Sequence, residues 1–307
     1  MVSYCTFAIE MAKKLPVYSI YTIKDGESNP DEFLMSRFDQ YLAQRNYLLQ
    51  PHGHSFYHLV FFTKGAGKQA IDFTSFLVKP GQIYFMNPGQ VHSWQFTGEV
   101  DGYIVNFSES FFDSFFKEPN YLNRFPFFGG YGEDQVIQLT GHCLREVSEL
   151  FERLLIELKP VKNHATEMIR TLLLQLFITV TRQIEPARQK QLSKPGYTTL
   201  RNFQKLVNEN YIKLKLPAEY AARLYVTPNY LNALCRDLLG KSAGEIIRDR
   251  IMLEAKRLLI NADTSISEIA AQLNFQDNSY FTKFFKKYAG KTPEEFRKEY
   301  HIGLKDI

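Results

Sequence analysis

The stretch PAEYAARLYVTPNYLNALCRDLLGKSAGEI, residues 217–246, is repeated as ISEIAAQLNFQDNSYFTKFFKKYAGKTPEEF, residues 266–296. Glu219, Ala221, Ala222 and Leu224 match Glu268, Ala270, Ala271 and Leu273 at a shift of 49. Past the turn the shift becomes 50, where Tyr230, Leu231, Gly240, Lys241, Ser242 and Glu245 match Tyr280, Phe281, Gly290, Lys291, Thr292 and Glu295. One extra turn residue in the second copy accounts for the change. Helical spacing of apolar residues on both sides of a short polar break makes each copy a helix-turn-helix. A unit present only twice cannot build a solenoid, which needs three or more to bury a continuous core. The pattern therefore reads as two copies of one reading head.

In the first head, residues 198–211 predict an opening helix and residues 217–224 the first helix of the motif. Thr227-Pro228 then supplies an N-cap followed by proline at the first helical position, where a missing N–H costs nothing. The second helix runs to Leu239 and stops at Gly240. Leu231, Leu234 and Leu238 face inward, which leaves Asn229, Tyr230, Asn232, Ala233 and Arg236 for a groove. In the second head, residues 266–273 form the first helix and Asp277 caps a second over Asn278–Ala289. Tyr280, Phe281, Phe284 and Phe285 supply packing, and Asn278, Ser279, Tyr280, Thr282, Lys283, Lys286 and Lys287 are the DNA-facing candidates. Lys and Arg neutralise phosphates or bond guanine, and Asn can bond adenine in two places. The first head is expected to supply more base readout and the second more phosphate anchoring. Residues 244–260, between the heads, hold no proline. As a helix they span roughly 25 Å at 1.5 Å per residue, and successive major grooves on one face of DNA lie about 34 Å apart.

Charge agrees with that placement. Residues 195–307 carry 18 Lys and Arg against 13 Asp and Glu, whereas residues 1–194 carry 19 against 20. All the excess positive charge lies in the repeat-bearing third, as expected of the part that meets phosphates. At 307 residues, 45% hydrophobic and 23% charged, the chain has the size and composition of two folded domains. Glu10 interrupts the early apolar stretch and Lys13-Lys14 follow it, the reverse of a secretion signal. The apolar run 172–180 is broken by Gln175 and falls short of the roughly 20 residues a membrane span needs. A cytoplasmic protein is expected. Cys5, Cys143 and Cys235 are scattered without a CxxC pair, so neither a disulfide framework nor a zinc module is indicated.

The first fifty residues are hard to place, although Phe33, Leu34, Phe38, Tyr41 and Leu42 have the spacing of an amphipathic helix over residues 31–44. From His54 to Phe107 the character is β. Runs at 56–63, 70–78, 82–86, 91–97 and 100–107 are separated by Gly65-Ala66-Gly67, Lys79-Pro80-Gly81, Asn87-Pro88-Gly89 and Thr97-Gly98. This predicts a sandwich or jelly roll. Apolar helices follow at 144–158 and 165–183, as core elements or as a subunit interface, and then a polar segment bracketed by Pro186 and Pro195. The fold class is thus α+β and multidomain. An N-terminal jelly-roll sandwich with helices (1–185) is followed by a linker (186–196). An all-α domain (197–307) completes the chain, with helix-turn-helix motifs at 216–240 and 266–290 joined by a linker helix.

Residues 198–301 resemble the AraC/XylS family of bacterial transcription regulators. The resemblance rests on Ser267-Glu268-Ile269-Ala270, on residues 278–288 and on Gly290-Lys291-Thr292-Pro293-Glu294-Glu295-Phe296-Arg297. Cys235-Arg236 stands where the family often has Phe-Lys, and Asn274 replaces the usual glycine of the second turn, so the backbone is expected to differ there. The β region is similar to the family's cupin-type sensor domain. His54-x3-His58-x6-Gly65 and Gly81-x6-Pro88-Gly89-x2-His92 fall close to the two cupin motifs.

The resemblance implies a transcription regulator that binds double-stranded DNA under the control of a small-molecule effector. Parity puts His52, His54 and His58 on one face of a strand, and His92, Trp94 and Phe96 on one face of another. With Tyr57, the residues His52, His54, His58, His92 and Trp94 are the candidate ligand-binding set. The rival is a metal-dependent cupin enzyme. Against it, His58 occupies the usual glutamate position, Phe96 replaces the usual asparagine, and no carboxylates are evident to support a metal. No cofactor, metal or catalytic residue is therefore expected. A third reading is an architectural DNA binder with a vestigial sensor. Homodimerisation through residues 144–183 and contact with RNA polymerase complete the expectations.

Overall fold

The computed structural model describes residues 16–23, 33–112, 115–116, 121–128, 135–158, 163–192, 195–260 and 264–303. The N-terminal half is one eight-stranded sheet. Its strands are β1 (Val17–Tyr18), β2 (Phe33–Arg37), β3 (His52–His54), β4 (Tyr57–Ile71), β5 (Thr74–Val78), β6 (Gln82–Met86), β7 (Val91–Phe107) and β8 (Val136–Gln138), with α1 (Ile20–Ile23) and α2 (Phe38–Gln44) before β3. Strands β4 and β7 pair antiparallel from Tyr57↔Phe107 to Ile71↔His92 and form a spine. Strands β2 and β3 pair with β7, and β5 and β6 with β4.

Two expected turns lie inside this spine. Gly65-Ala66-Gly67 and Thr97-Gly98 do not end strands, and the register of β4 against β7 shifts between Phe62 and Ala66. Such bulges let a long strand bend and serve both halves of a barrel. Glycine is required where the strands approach most closely. A Cβ on Gly67 (φ +135) would meet the Gln95 carbonyl oxygen at 2.3 Å, and one on Gly102 (φ +158) the Phe61 carbonyl oxygen at 2.0 Å. Conversely, the run read as one strand over 70–78 is a hairpin. Its turn is Asp72 (φ 46) and Phe73 (φ 71), both left-handed, as a two-residue I′ turn requires. The helix read over 31–44 starts only at Phe38, and Asp31 lies outside the described residues. Phe33 and Met35 alternate onto the buried face of β2 that carries Leu59, Phe61 and Val105, and pairing with β7 outweighs the three-four spacing.

Alternation along the strands builds two apolar layers. Val60, Phe62, Tyr84, Met86, Trp94 and Ile104 pack with Phe38 and Tyr41 of α2 on the inner side. Leu59, Phe61, Ile83, Phe85, Tyr103 and Val105 face outward under α3 (Gly141–Glu157) and α4 (Ala165–Leu192). Val147, Phe151, Leu172 and Phe177 of these helices are fully or almost fully buried there, each contributing roughly 1.5–3 kcal/mol. Helix α4 continues to Leu192, so much of the 186–196 segment read as a linker is helical. Its Lys, Arg and Gln residues are good helix formers that carry no apolar stripe to reveal them.

The C-terminal part consists of α5 (Tyr197–Asn210), α6 (Pro217–Arg223), α7 (Pro228–Leu239), α8 (Ala243–Ile260), α9 (Ile266–Gln272), α10 (Asn278–Ala289) and α11 (Pro293–Gly303). Phe203, Tyr220, Leu231, Ile247, Ile251, Ala255, Leu259, Ile269, Phe281 and Phe285 belong to one core. The connector α8 is the middle of that core. The heads are therefore fixed to each other by shared packing as well as by the helix between them.

Candidate functional site

The duplication extends to the hydrogen bonds that set the helix ends. Thr227 Oγ1 accepts from the Tyr230 amide at 3.2 Å, and Asp277 Oδ1 accepts from the Tyr280 amide at 2.7 Å. Left-handed Gly240 and Gly290 end the two second helices. Reciprocal Ser242–Glu245 and Thr292–Glu295 bonds then start α8 and α11. The turn is one residue longer in the second head, 273–277 against 224–227. Its backbone nonetheless matches the first, since Asn274 (φ 55) adopts the left-handed conformation that Tyr225 (φ 56) also has. Asparagine tolerates this left-handed region, which glycine favours.

Asn229, Tyr230, Ala233 and Arg236 of α7 are exposed, as are Asn278, Ser279, Tyr280, Lys283, Lys286 and Lys287 of α10. Thr282 is half-buried and bonds Asn278. Asn232 is half-buried, and its Oδ1 accepts the Ala243 amide at 3.1 Å, which ties α7 to the start of α8. That bond uses one of the two lone pairs of the amide oxygen. Tyr225, 95% exposed in the turn before α7, is an additional aromatic on the same head.

The barrel interior holds a cluster of four imidazoles. His52, His54, His58 and His92 are at most 2% exposed. Register brings them together: His52 pairs with His92 across β3 and β7, and Ile71 of β4 pairs with His92 from the other side. Ring centroids lie 4.2 Å apart for His52–His92, 4.6 Å for His52–His54, 4.8 Å for His54–His92 and His54–His58, and 5.0 Å for His58–His92. Trp94 stands edge-on to His92 at 4.6 Å. Tyr57 does not join them. It points through the opposite face of β4 and stacks on Phe107 at 5.1 Å, as alternation from His58 demands.

The protonation pattern of the cluster is constrained. Burial pushes His52 down to about 4 and His58 to about 3, and holds His54 and His92 well below the ordinary 6.5. All four rings are neutral at pH 7. His52 Nδ1 donates to the Gln50 carbonyl at 2.7 Å and His58 Nδ1 to Asn106 Oδ1 at 2.6 Å, which leaves a lone pair on each Nε2. Asn106 in turn reaches the Tyr41 hydroxyl. His54 Nε2 and His92 Nε2 are 2.6 Å apart. His52 Nε2, His54 Nδ1, His58 Nε2, His92 Nδ1 and Trp94 Nε1 are all buried with no hydrogen-bond partner.

A contact between the two halves escapes any reading of the sequence. Asp72, at the tip of the β4–β5 hairpin, accepts two bonds from Arg257 of α8 at 2.9 and 2.5 Å. The same carboxylate accepts from the Val91 amide and from Gln90 Nε2. Phe73 lies 5.9 Å from Phe296 and 6.1 Å from Tyr300 of α11, and Val91 packs on Ile260 at the end of α8. A hairpin without an Asn-Gly pair gives no turn signal, and docking between distant segments leaves no periodicity.

Comparison with known proteins places both halves. A model described as an AraC-like ligand binding domain matches residues 35–177, and a helix-turn-helix domain model matches residues 220–299. The HTH-type transcriptional activator RhaR of Yersinia pestis bv. Antiqua (strain Angola) is 23% identical over 256 residues, spanning 81% of this chain and 84% of its own. The uncharacterized transcriptional regulatory protein YesN of Bacillus subtilis is 33% identical over 108 residues, 34% of this chain and 29% of its own. Among solved structures, ToxT from Vibrio cholerae aligns over 87% of this chain and 98% of its own, at 15% identity and a TM-score of 0.41. No helix among the described residues is long and apolar enough to cross a membrane.

Proposed function

The chain belongs to the AraC family of helix-turn-helix transcription regulators, and from that premise we propose that α7 and α10 are its two DNA-reading helices and the buried histidines its effector site. One observation carries the DNA half of this reading. Two helices with matching caps turn polar, exposed faces outward while their apolar faces lock into a single core around α8. At 18 residues, α8 spans about 27 Å, which suits heads that enter successive major grooves.

The heads divide the work. Lys283, Lys286 and Lys287 of α10 are exposed and suited to phosphate anchoring, and Arg236 of α7 is the base-reading candidate. The effector half acts through the hairpin. A ligand that favours one arrangement of β3, β4 and β7 changes how Asp72 and Phe73 hold α8 and α11, and so changes DNA affinity. Exposed Ile156 on α3 and Met168 on α4 support pairing of two chains through this helical layer.

The test is selection of bound sequences from a random duplex library by the full chain. A defined motif should emerge. Arg236→Ala should relax preference at one position by roughly 1–3 kcal/mol. Recovery of no motif, or uniform weakening at every position by Arg236→Ala, contradicts the assignment.

A further inference from the structure

We infer that His52, His54 and His92 bind a divalent late first-row transition ion of the Zn²⁺ type, and that its occupancy sets DNA affinity through Val91 and the Asp72–Arg257 ion pair. The inference rests on the reading of the histidine cluster as the effector site, and it replaces the expectation that no metal binds there.

The donor set fits such an ion. Each of the three histidines offers one ring nitrogen, and these atoms lie within 4.8 Å of one another. The set contains no carboxylate and no thiolate, which disfavours Ca²⁺ and Mg²⁺ and suits ions that prefer imidazole. The rings are neutral, as ligation requires. The bond from His52 Nδ1 to the Gln50 carbonyl fixes the tautomer that leaves Nε2 free to ligate. His58, held the same way by Asn106, stands beside the three with its Nε2 also free.

The unpartnered atoms point to an occupant. A buried polar atom without a hydrogen bond is costly, and each of the four histidines carries one such ring nitrogen. The space fits an ion and not an organic effector, because rings with centroids 4.2–5.0 Å apart are already in contact. Two nitrogens sharing a tetrahedral ion sit about 3.3 Å apart, so His54 and His92 must separate from 2.6 Å when it enters.

That movement has a short path to the DNA-binding half. Val91 precedes His92, pairs with Gly53 between His52 and His54, and donates its amide to the Asp72 carboxylate. Ile71 pairs with His92 and leads into Asp72. Asp72 holds Arg257 of α8, and Val91 itself touches Ile260. A shift of His92 is therefore one residue away from both contacts on α8.

The experiment uses the full chain stripped with a chelator, Co²⁺ as the spectroscopic probe, Zn²⁺ for binding assays, and a duplex recovered by the selection above. Wild type should take up one equivalent of Co²⁺ and show ligand-field bands without thiolate charge transfer. His54→Gln and His92→Gln should abolish the bands while keeping a cooperative melting transition. Should both variants fail to fold, the metal content and band pattern of wild type decide the point. Zn²⁺ should change wild-type DNA affinity roughly 5- to 150-fold, and Asp72→Asn should keep the Co²⁺ bands while losing that change. Absence of stoichiometric metal in a stripped and reloaded protein that still binds its duplex overturns the inference and leaves the function standing. Metal binding with no DNA binding in either form overturns the function instead. Metal binding with equal DNA affinity in both forms overturns the coupling.

Discussion

Four neutral imidazoles at the centre of the barrel make the sensor half acid-sensitive. In the fold His52 stays uncharged down to about pH 4 and His58 to about 3, whereas an unfolded chain protonates histidine below 6.5. The unfolded state then holds more protons across that window. Stability is full above 6.5 and falls as pH drops toward 4, by up to about 1.4 kcal/mol per pH unit for each such histidine. Metal-free wild type should lose melting temperature between pH 6.5 and 5 more steeply than His58→Gln, and equal slopes would argue against a neutral buried His58. On α10, Lys283→Ala with Lys286→Ala should reduce the slope of log affinity against log salt by about 1.8 in total; an unchanged slope removes both from the phosphates. Parity along the strands suffices to group His52, His54, His58, His92 and Trp94, because alternation is a property of the chain itself. The same parity puts Tyr57, next to His58, on the opposite face, where it stacks on Phe107 and stands outside the cluster.

Helix ends are legible in the sequence because their causes are local. Thr227-Pro228, Asp277, Gly240 and Gly290 each act within a turn of their own position, and α7 and α10 start and stop where these residues place them. The same logic yields a test at this scale. Asp277→Ala removes the bond to the Tyr280 amide and should destabilise α10 by about 1 kcal/mol, seen as a lower melting temperature together with weaker DNA binding. Unaltered stability would show that α10 is held by packing of Phe281 and Phe285 alone. Strands are less legible. Glycine marks both turns and bulges, and only pairing decides between them, so Gly65 and Gly67 read as a break where β4 runs through. The end of α4 is hidden for the opposite reason, since its last turns are polar helix formers.

At the scale of the whole molecule, the shared core of the two heads and the hairpin on α8 are the features that no local pattern announces. Ile247, Ile251, Ala255 and Leu259 turn the connector into the centre of the DNA-binding part. On the proposed reading the heads meet DNA as one rigid pair, and Asp72, Phe73 and Val91 tie that pair to the barrel. Charge follows the same division, with the excess of Lys and Arg confined to residues 195–307. A hydroxyl-radical footprint of the full chain on a selected duplex tests this account most directly. Two protected stretches on one face of the DNA, centred about 10 base pairs apart, are predicted, with the Lys283→Ala, Lys286→Ala variant losing one of them first. A single protected stretch, or two at variable spacing on different faces, would contradict a rigid pair of reading helices.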